Sequence, residues 1–238
     1  MTRVFLIIQA RMGSTRLPGK ILLPVLDTTM LGHQLNRLRC CIEPDHLIVA
    51  TPMGTEESPI LDECHRGVET YQGSEGDVLS RYCEAYLLHG RRVRKGDVIV
   101  RITSDCPCAD PELIDEYIRW FKRDHRERGT TYASNTMQRS LPKGLDVELF
   151  TGQALYDRYM ETRSYEPRPA SYELEHVTPM IRDLAIAGST RLNYIHEPDT
   201  SDLRATLDTP EDYEQLKVMI ETLRTGYNYL DVIDYLSR

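Results

Sequence analysis

Val4-Phe5-Leu6-Ile7-Ile8 is apolar at every position, so neither of its alternating faces carries a polar residue. A strand of this kind has to be hidden from water on both sides, which a hairpin or a one-sided sheet does not provide. His46-Leu47-Ile48-Val49-Ala50, closed by Thr51-Pro52, and Asp97-Val98-Ile99-Val100-Arg101-Ile102 repeat the pattern, with a shorter strand from Val68 to Tyr71. Between them the apolar residues recur at helical spacing. Leu31, Leu35, Leu38 and Ile42 form one face, Val78, Tyr82, Ala85 and Leu88 a second, and Leu113, Ile114, Tyr117, Ile118 and Phe121 a third. Pro59 to His65 reads as a short helix. Strands alternating with helices of this length predict an α/β fold, a parallel sheet covered by helices on both sides.

The rhythm breaks at Gly129. Thr130 to Ala133 and Leu145 to Phe150 read as strands, Gly152 to about Met160 as a helix, and Glu166-Pro167-Arg168-Pro169 as a loop. A helix around Tyr172 to Leu184 and a strand from Leu192 to His196 follow. The chain ends with an extended run, Leu203 to Leu207, a Pro210-started helix through Leu223 and a last helical turn to Leu236. No repeat, low-complexity tract or linker divides the 238 residues, so a single domain over 1–238 is expected, with an irregular segment at about 129–200. The formal charge of −8 argues against nucleic acid or an anionic membrane as main partner. No apolar run approaches the roughly 18 residues of a membrane span, and the N-terminal strand is wrongly flanked for a signal peptide. Six cysteines match no secreted framework, so reduced thiols and a cytoplasmic location are expected.

The residues that point to chemistry begin where the first strand ends. Gln9-Ala10-Arg11-Met12-Gly13-Ser14-Thr15-Arg16-Leu17-Pro18-Gly19-Lys20 places three cations, two glycines and two hydroxyls on one turn. Glycine lets backbone N–H groups approach a polyphosphate, and Arg and Lys balance its charge. The spacing is neither the Walker A loop nor the dinucleotide fingerprint. Open α/β sheets bind ligands at the carboxyl ends of their strands. Asp105 and Asp208 are expected at two such ends, while Asp110 and Thr209 are the better-placed helix caps. Two carboxylates facing a polyphosphate suit Mg²⁺, which fills its shell with phosphate and water.

Gly73-Ser74-Glu75-Gly76-Asp77-Val78-Leu79 is a polar bend that either holds a base or ribose edge or is a helix entry capped by Asp77 or Ser74. Asp146 and Glu148, read as one face of a strand, bind hydroxyls or face water. His176 is a general base, an anion contact or a helix-surface residue. Arg101 and Arg204 contact acceptor or phosphate, or are structural ion-pair partners.

The segment Ile8 to Lys20 resembles the signature of the cytidylyltransferases, a family that includes the CMP-sialic acid and CMP-3-deoxy-manno-octulosonate synthetases. The similarity is greatest to the spore-coat polysaccharide branch. Its further marks follow in order: Gly73 to Tyr82, Arg101-Ile102-Thr103-Ser104-Asp105-Cys106-Pro107, Gly144-Leu145-Asp146-Val147-Glu148, Glu175-His176-Val177-Thr178-Pro179, and Leu207-Asp208-Thr209-Pro210-Glu211-Asp212. The chain departs from the branch at Ser104, where glycine is usual, and at Cys108-Ala109, where bulkier aliphatic residues stand. The resemblance implies a nucleotide-diphospho-sugar transferase fold, Rossmann-like and of GT-A type, with a mixed, mostly parallel sheet. It implies a Mg²⁺-dependent enzyme that joins CTP to a sugar, sugar acid or related anionic acceptor for surface polysaccharide and releases pyrophosphate. Arg11, Arg16 and Lys20 would hold the triphosphate, with backbone contacts from Gly13 and Ser14. Asp105 and Asp208 would hold the metal, and Arg11, Lys20 and these two aspartates would form the catalytic set. Backbone at Gln9-Ala10 and the Ser74-Glu75 bend would read cytosine, with Asp77 and Thr103 completing the nucleotide site. Arg101, Asp146, Glu148, Glu175, His176 and Arg204 would meet the acceptor, and a homodimer is expected. The rival readings are a GT-A-type glycosyltransferase, which would carry an Asp-x-Asp motif, and a non-catalytic nucleotide-sensing module.

Overall fold

The computed structural model describes residues 2–64, 67–164, 171–184 and 191–238; His65 and the Glu166-Pro167-Arg168-Pro169 loop lie outside them. Among the described residues the elements run β1 (Val4–Gln9), a small hairpin of β2 (Pro24–Val25) and β3 (Thr28–Thr29), α1 (Met30–Leu38), β4 (His46–Pro52), α2 (Ser58–Glu63), β5 (Glu69–Gly73), α3 (Val78–Gly90), β6 (Val98–Thr103) and α4 (Pro111–Arg128). They continue with β7 (Tyr132–Ser134), β8 (Glu148–Thr151), α5 (Gly152–Ser164), α6 (Ser171–His176), α7 (Thr178–Leu184), β9 (Arg191–Asn193), α8 (Pro210–Leu223) and α9 (Tyr229–Leu236). The main sheet has the order β5-β4-β1-β6-β8-β7-β9. Only β8 runs antiparallel to its neighbours, β6 and β7, so the sheet is mixed and mostly parallel.

The all-apolar first strand ends up inside this sheet, between β4 and β6. Val4, Leu6 and Ile8 pack with Leu31 and Leu35 of α1 and with Leu113 and Tyr117 of α4. Phe5 and Ile7, on the opposite face, pack with Leu79, Tyr82 and Tyr86 of α3. Each of these buried side chains contributes about 1.5–3 kcal/mol, which is why both faces need a helical layer. α4 starts as its sequence requires: the Asp110 carboxylate accepts from the Leu113 N–H and Pro111 takes the first position. Gly129 then ends it in the left-handed region, at φ 69°. A third apolar cluster joins α8 and α9 to Val25, Met30 and Cys108.

His33 of α1 lies under this third cluster, its Nε2 2.9 Å from the Tyr227 hydroxyl. Burial, and then the nearby Arg37 guanidinium, push the imidazole down from its ordinary 6.5 to about 4. The unfolded chain therefore takes the proton first, and the stability held above pH 6.5 is lost as pH falls towards 4. The melting temperature is expected to fall over this window, and to fall less in His33→Gln; equal falls in the two proteins would remove His33 as the cause.

Several expected boundaries shift for identifiable reasons. Ile42 lies beyond α1, which stops at Leu38, and is 86% exposed; Leu88 of α3 is 59% exposed because Tyr82, Ala85 and Tyr86 make the buried face. The helix expected from Tyr172 to Leu184 is two, α6 and α7, broken at Val177 with φ 62°. The strand expected from Leu145 starts at Glu148, because Asn135 already holds both the Leu145 carbonyl and the Val147 N–H. Asp146 therefore precedes the strand and does not share a face with Glu148. Leu203 to Leu207 forms no strand; a single bridge joins Arg204 to Lys143. Asp208 thus does not sit at a strand end. The Leu207 N–H donates to the Asp105 carbonyl at 2.8 Å, and this bond brings the segment before Asp208 alongside Asp105, just past β6.

Candidate active site

The sheet reverses its winding between β1 and β6, since β4 continues from one side of β1 and β6 flanks the other. A crevice opens at the carboxyl ends of strands at such a point. Here it is a cleft of about 410 Å³, into which Gln9, Ala10, Arg11, Gly13, Ser14, Arg16, Lys20, Arg101, Thr103, Asp105, Glu175, His176 and Asp208 all project from the predicted set. Five cationic side chains and three carboxylates line it, in a chain whose net charge is −8. That local excess of positive charge favours an anionic ligand.

The loop from Ala10 to Lys20 folds back on itself. The Gly19 N–H donates to the Met12 carbonyl, and the Ser14 hydroxyl accepts from the Leu17 N–H at 3.4 Å. Gly19 is left-handed at φ 67°, which lets the chain turn into Lys20. Gly13 has no packing reason to lack a side chain, because a Cβ there would meet nothing within 4 Å. Its backbone faces open space in the cleft. The buried Glu57 carboxylate accepts from the Met12 N–H at 2.9 Å and from the Thr51 hydroxyl at 3.1 Å, tying the loop to the end of β4.

Asp208 is the electrostatic hub. Its Oδ1 lies 3.0 Å from Lys20 Nζ and 3.1 Å from Arg16 Nη2, and its Oδ2 lies 2.8 Å from Arg204 Nη2. Burial works to raise this carboxyl, but hydrogen bonds from Lys20 and Arg204 outweigh it and hold it at about 2. Lys20 also donates to the Leu207 carbonyl at 2.5 Å, so its ammonium is fixed at two points. Asp105 accepts from the Thr103 hydroxyl and, at 3.6 Å, from the Cys106 thiol. Arg11 reaches Glu175 of α6 at 3.7 Å across the cleft mouth, beside the exposed His176.

Other expected residues have different tasks. Asp77 caps α3, accepting from the Ser80 N–H at 2.8 Å, and the Ser74 hydroxyl accepts from the Asp77 N–H at 3.0 Å. The bend is therefore a capped helix entry; Ser74, Glu75 and Asp77 do not line the cleft. Asp146 is paired with Arg139, and Arg204 with Asp208 and Asp212. Glu148 is buried against Arg101 and the Tyr132 hydroxyl. These are the ion-pair roles left open for Arg101 and Arg204, and neither Glu148 nor Asp146 lines the cleft. Cys106 and Cys108 are buried, and burial pushes both thiols up, away from the thiolate that a metal takes.

The site also contains residues outside the expected site set: Thr15, Val78, Arg81 and Ser104. Arg81 is 2% exposed, donates to the Ser74 carbonyl at 3.0 Å and has an Nε without a partner. Its signal was a charged residue three positions after Val78, on the buried stripe of α3.

Among the described residues no group of three or more His, Cys, Asp or Glu is placed to hold a metal ion. A pair of carboxylates on adjoining segments fits Mg²⁺, whose remaining ligands come from phosphate and water. Asp105 and Asp208, both lining the cleft, would supply such a hard oxygen donor set.

A winding-reversal cleft lined by a glycine-containing cationic loop, in a mixed α/β sheet, is the arrangement of the nucleotide-diphospho-sugar transferase fold, and the family match makes the class a nucleotidyltransferase. A family model described as "Cytidylyltransferase" matches residues 5–229, and the chain belongs to that family. It is 32% identical to the spore coat polysaccharide biosynthesis protein SpsF of Bacillus subtilis, over 100% of this chain and 95% of that one. It is 29% identical to a 3-deoxy-manno-octulosonate cytidylyltransferase of Zea mays, over 93% of this chain and 70% of that one. The solved structure of a cytidylyltransferase from Leptospira borgpetersenii is 33% identical and superposes with a TM-score of 0.88, covering 100% of this chain and 94% of that one. The protein is accordingly a CTP-dependent nucleotidyltransferase, and no helix among its described residues is long and apolar enough to cross a membrane.

Proposed function

We propose that residues 1–238 act as one Mg²⁺-dependent domain that transfers CMP from CTP to an anionic sugar-like acceptor, releasing pyrophosphate, for surface polysaccharide. The observation that carries this reading is the meeting of Arg11, Gly13, Ser14, Arg16 and Lys20 with Asp105 and Asp208 in one cleft. The names of the Bacillus and Zea relatives support the polysaccharide destination and a sugar-acid acceptor.

In this reading Arg11, Arg16 and Lys20 bind the triphosphate, with the open backbone at Gly13 beside it. The acceptor oxygen attacks the α-phosphorus in line; its bond to phosphorus forms as the bond to the β-phosphate oxygen breaks, and pyrophosphate leaves. Lys20, pinned by the Leu207 carbonyl, neutralises charge growing on that leaving group without having to reorganise. Asp105 and Asp208 would hold Mg²⁺, which supplies neutralisation of the phosphate oxygens. An acceptor that is already ionised needs no strong base, which leaves Glu175 and His176 at the mouth to orient it.

Calorimetric titration of CTP, UTP, ATP and GTP, with and without Mg²⁺, tests the reading. Tight, Mg²⁺-dependent binding of CTP above the others is expected. A preference for UTP would make the donor site one for uridine nucleotides, and no binding of any triphosphate would overturn the assignment of the first loop.

A further inference from the structure

A polar row crosses four strands directly beneath the cleft. Arg101 of β6 is in register with Ile7 of β1 and with Glu148 of β8, and Gln9, two residues beyond Ile7, faces the same way. The Tyr132 hydroxyl of β7 donates to Glu148 Oε1 at 2.7 Å, Arg101 pairs with Glu148 Oε2, and Arg101 Nη2 donates to Gln9 Oε1 at 3.0 Å. The Arg101 and Glu148 side chains are 13% and 12% exposed, and an ion pair this buried contributes little net stability. Its effect on Gln9 is more definite. A guanidinium carries only donors, so the amide beside it must present oxygen. The Gln9 Nε2 is thereby turned away from Arg101, and none of the described residues accepts from it, although Gln9 lines the cleft.

We infer that the Gln9 side chain is a ligand-binding donor, its Nε2–H meeting an acceptor lone pair of the bound nucleotide, and that Arg101, held by Glu148 and Tyr132, is the positioning residue that sets the amide's polarity. This gives Gln9 a side-chain role beyond its backbone, and it rests on the nucleotide reading of the cleft. The locked amide cannot turn to accept a hydrogen bond, so the ligand group that meets it is an acceptor, an oxygen or a ring nitrogen with a free lone pair, and not an N–H.

Calorimetry with Mg²⁺–CTP on two nearly isosteric variants decides the point. Gln9→Met removes the donor and is expected to weaken binding about tenfold. Gln9→Glu is expected to weaken it more, about a hundredfold, because one carboxylate oxygen takes Arg101 and the other turns lone pairs on the ligand. The double variant Arg101→Met/Glu148→Leu leaves neither charge stranded; it should weaken CTP, and adding Gln9→Met should then cost less than about twofold further. A merely structural Arg101 would instead give additive losses, and that result would overturn its positioning role. If that double variant does not fold, the two Gln9 variants alone carry the test. Wild-type binding with both Gln9 variants within about twofold of it would overturn the inference and leave the proposed function standing. Absence of CTP binding by the wild type would overturn the function, and the inference with it.

Discussion

Lys20→Ala is expected to lower turnover at least about a hundredfold while the protein remains folded, equivalent to about 2.7 kcal/mol of lost transition-state stabilisation. The expected size follows from how this ammonium is held. Its Nζ donates to the Leu207 carbonyl at 2.5 Å and to Asp208 at 3.0 Å, so it is aimed before any ligand arrives. A preorganised charge contributes most where negative charge grows during reaction, which in the proposed reaction is the departing pyrophosphate. Truncation does not strand a carboxylate, because Arg16 and Arg204 still contact Asp208. It opens no hole in the apolar core either, since Lys20 lies on the loop that lines the cleft. Lys20→Arg keeps the charge but not the compact tip that fits between carbonyl and carboxylate, so it recovers only part of the rate. The check is pyrophosphate release with an acceptor that supports the wild type, alongside the melting temperature. Near-normal release by Lys20→Ala would remove Lys20 from the catalytic set.

The central sheet was legible because β1, β4 and β6 are apolar on both faces, a pattern that leaves one type of surroundings available. The helix ends were legible where capping is local, as at Asp110-Pro111 and Thr209-Pro210. The second half was less so. Leu203 to Leu207 has strand-like composition but gains only one bridge, and whether an extended run finds a ladder depends on a partner distant in sequence. The break that divides one expected helix into α6 and α7 at Val177 does have a local mark, because Pro179 takes an early position of α7 and does not fit inside one continuous helix.

The same distinction runs through the site. Arg11, Gly13, Arg16 and Lys20 were legible because they share one short segment whose chemistry is contiguous in the chain. The tasks of Arg101 and Glu148 were not, because their bond joins residues on different strands and appears only when β6 and β8 pair. Glu57 is the clearest omission. An acidic residue in a short loop gives no sign that tertiary contact will bury it beneath the Met12 N–H.

Asp208→Asn is expected to separate binding from turnover. The carboxylate now has three cations around it, Lys20, Arg16 and Arg204, and these are the groups that a triphosphate would also engage. Asparagine keeps the shape and one accepting oxygen but not the charge, so the cations lose a competitor for the ligand. Arg204 stays compensated by Asp212, and the Asp212 carboxylate still accepts from the backbone at 208 and 209, so the start of α8 is preserved. Without Mg²⁺ the variant is therefore expected to bind CTP at least as well as the wild type. The increment that Mg²⁺ adds in the wild type should vanish, because one of two hard oxygen donors has been neutralised. Turnover should fall at least about a hundredfold, the same 2.7 kcal/mol scale as at Lys20. Paired titrations with and without Mg²⁺, together with pyrophosphate release, read all three effects. A variant that keeps the Mg²⁺ increment and releases pyrophosphate at near-normal rates would show that Asp208 serves only as counter-ion to Lys20 and Arg204, and that the metal is held elsewhere.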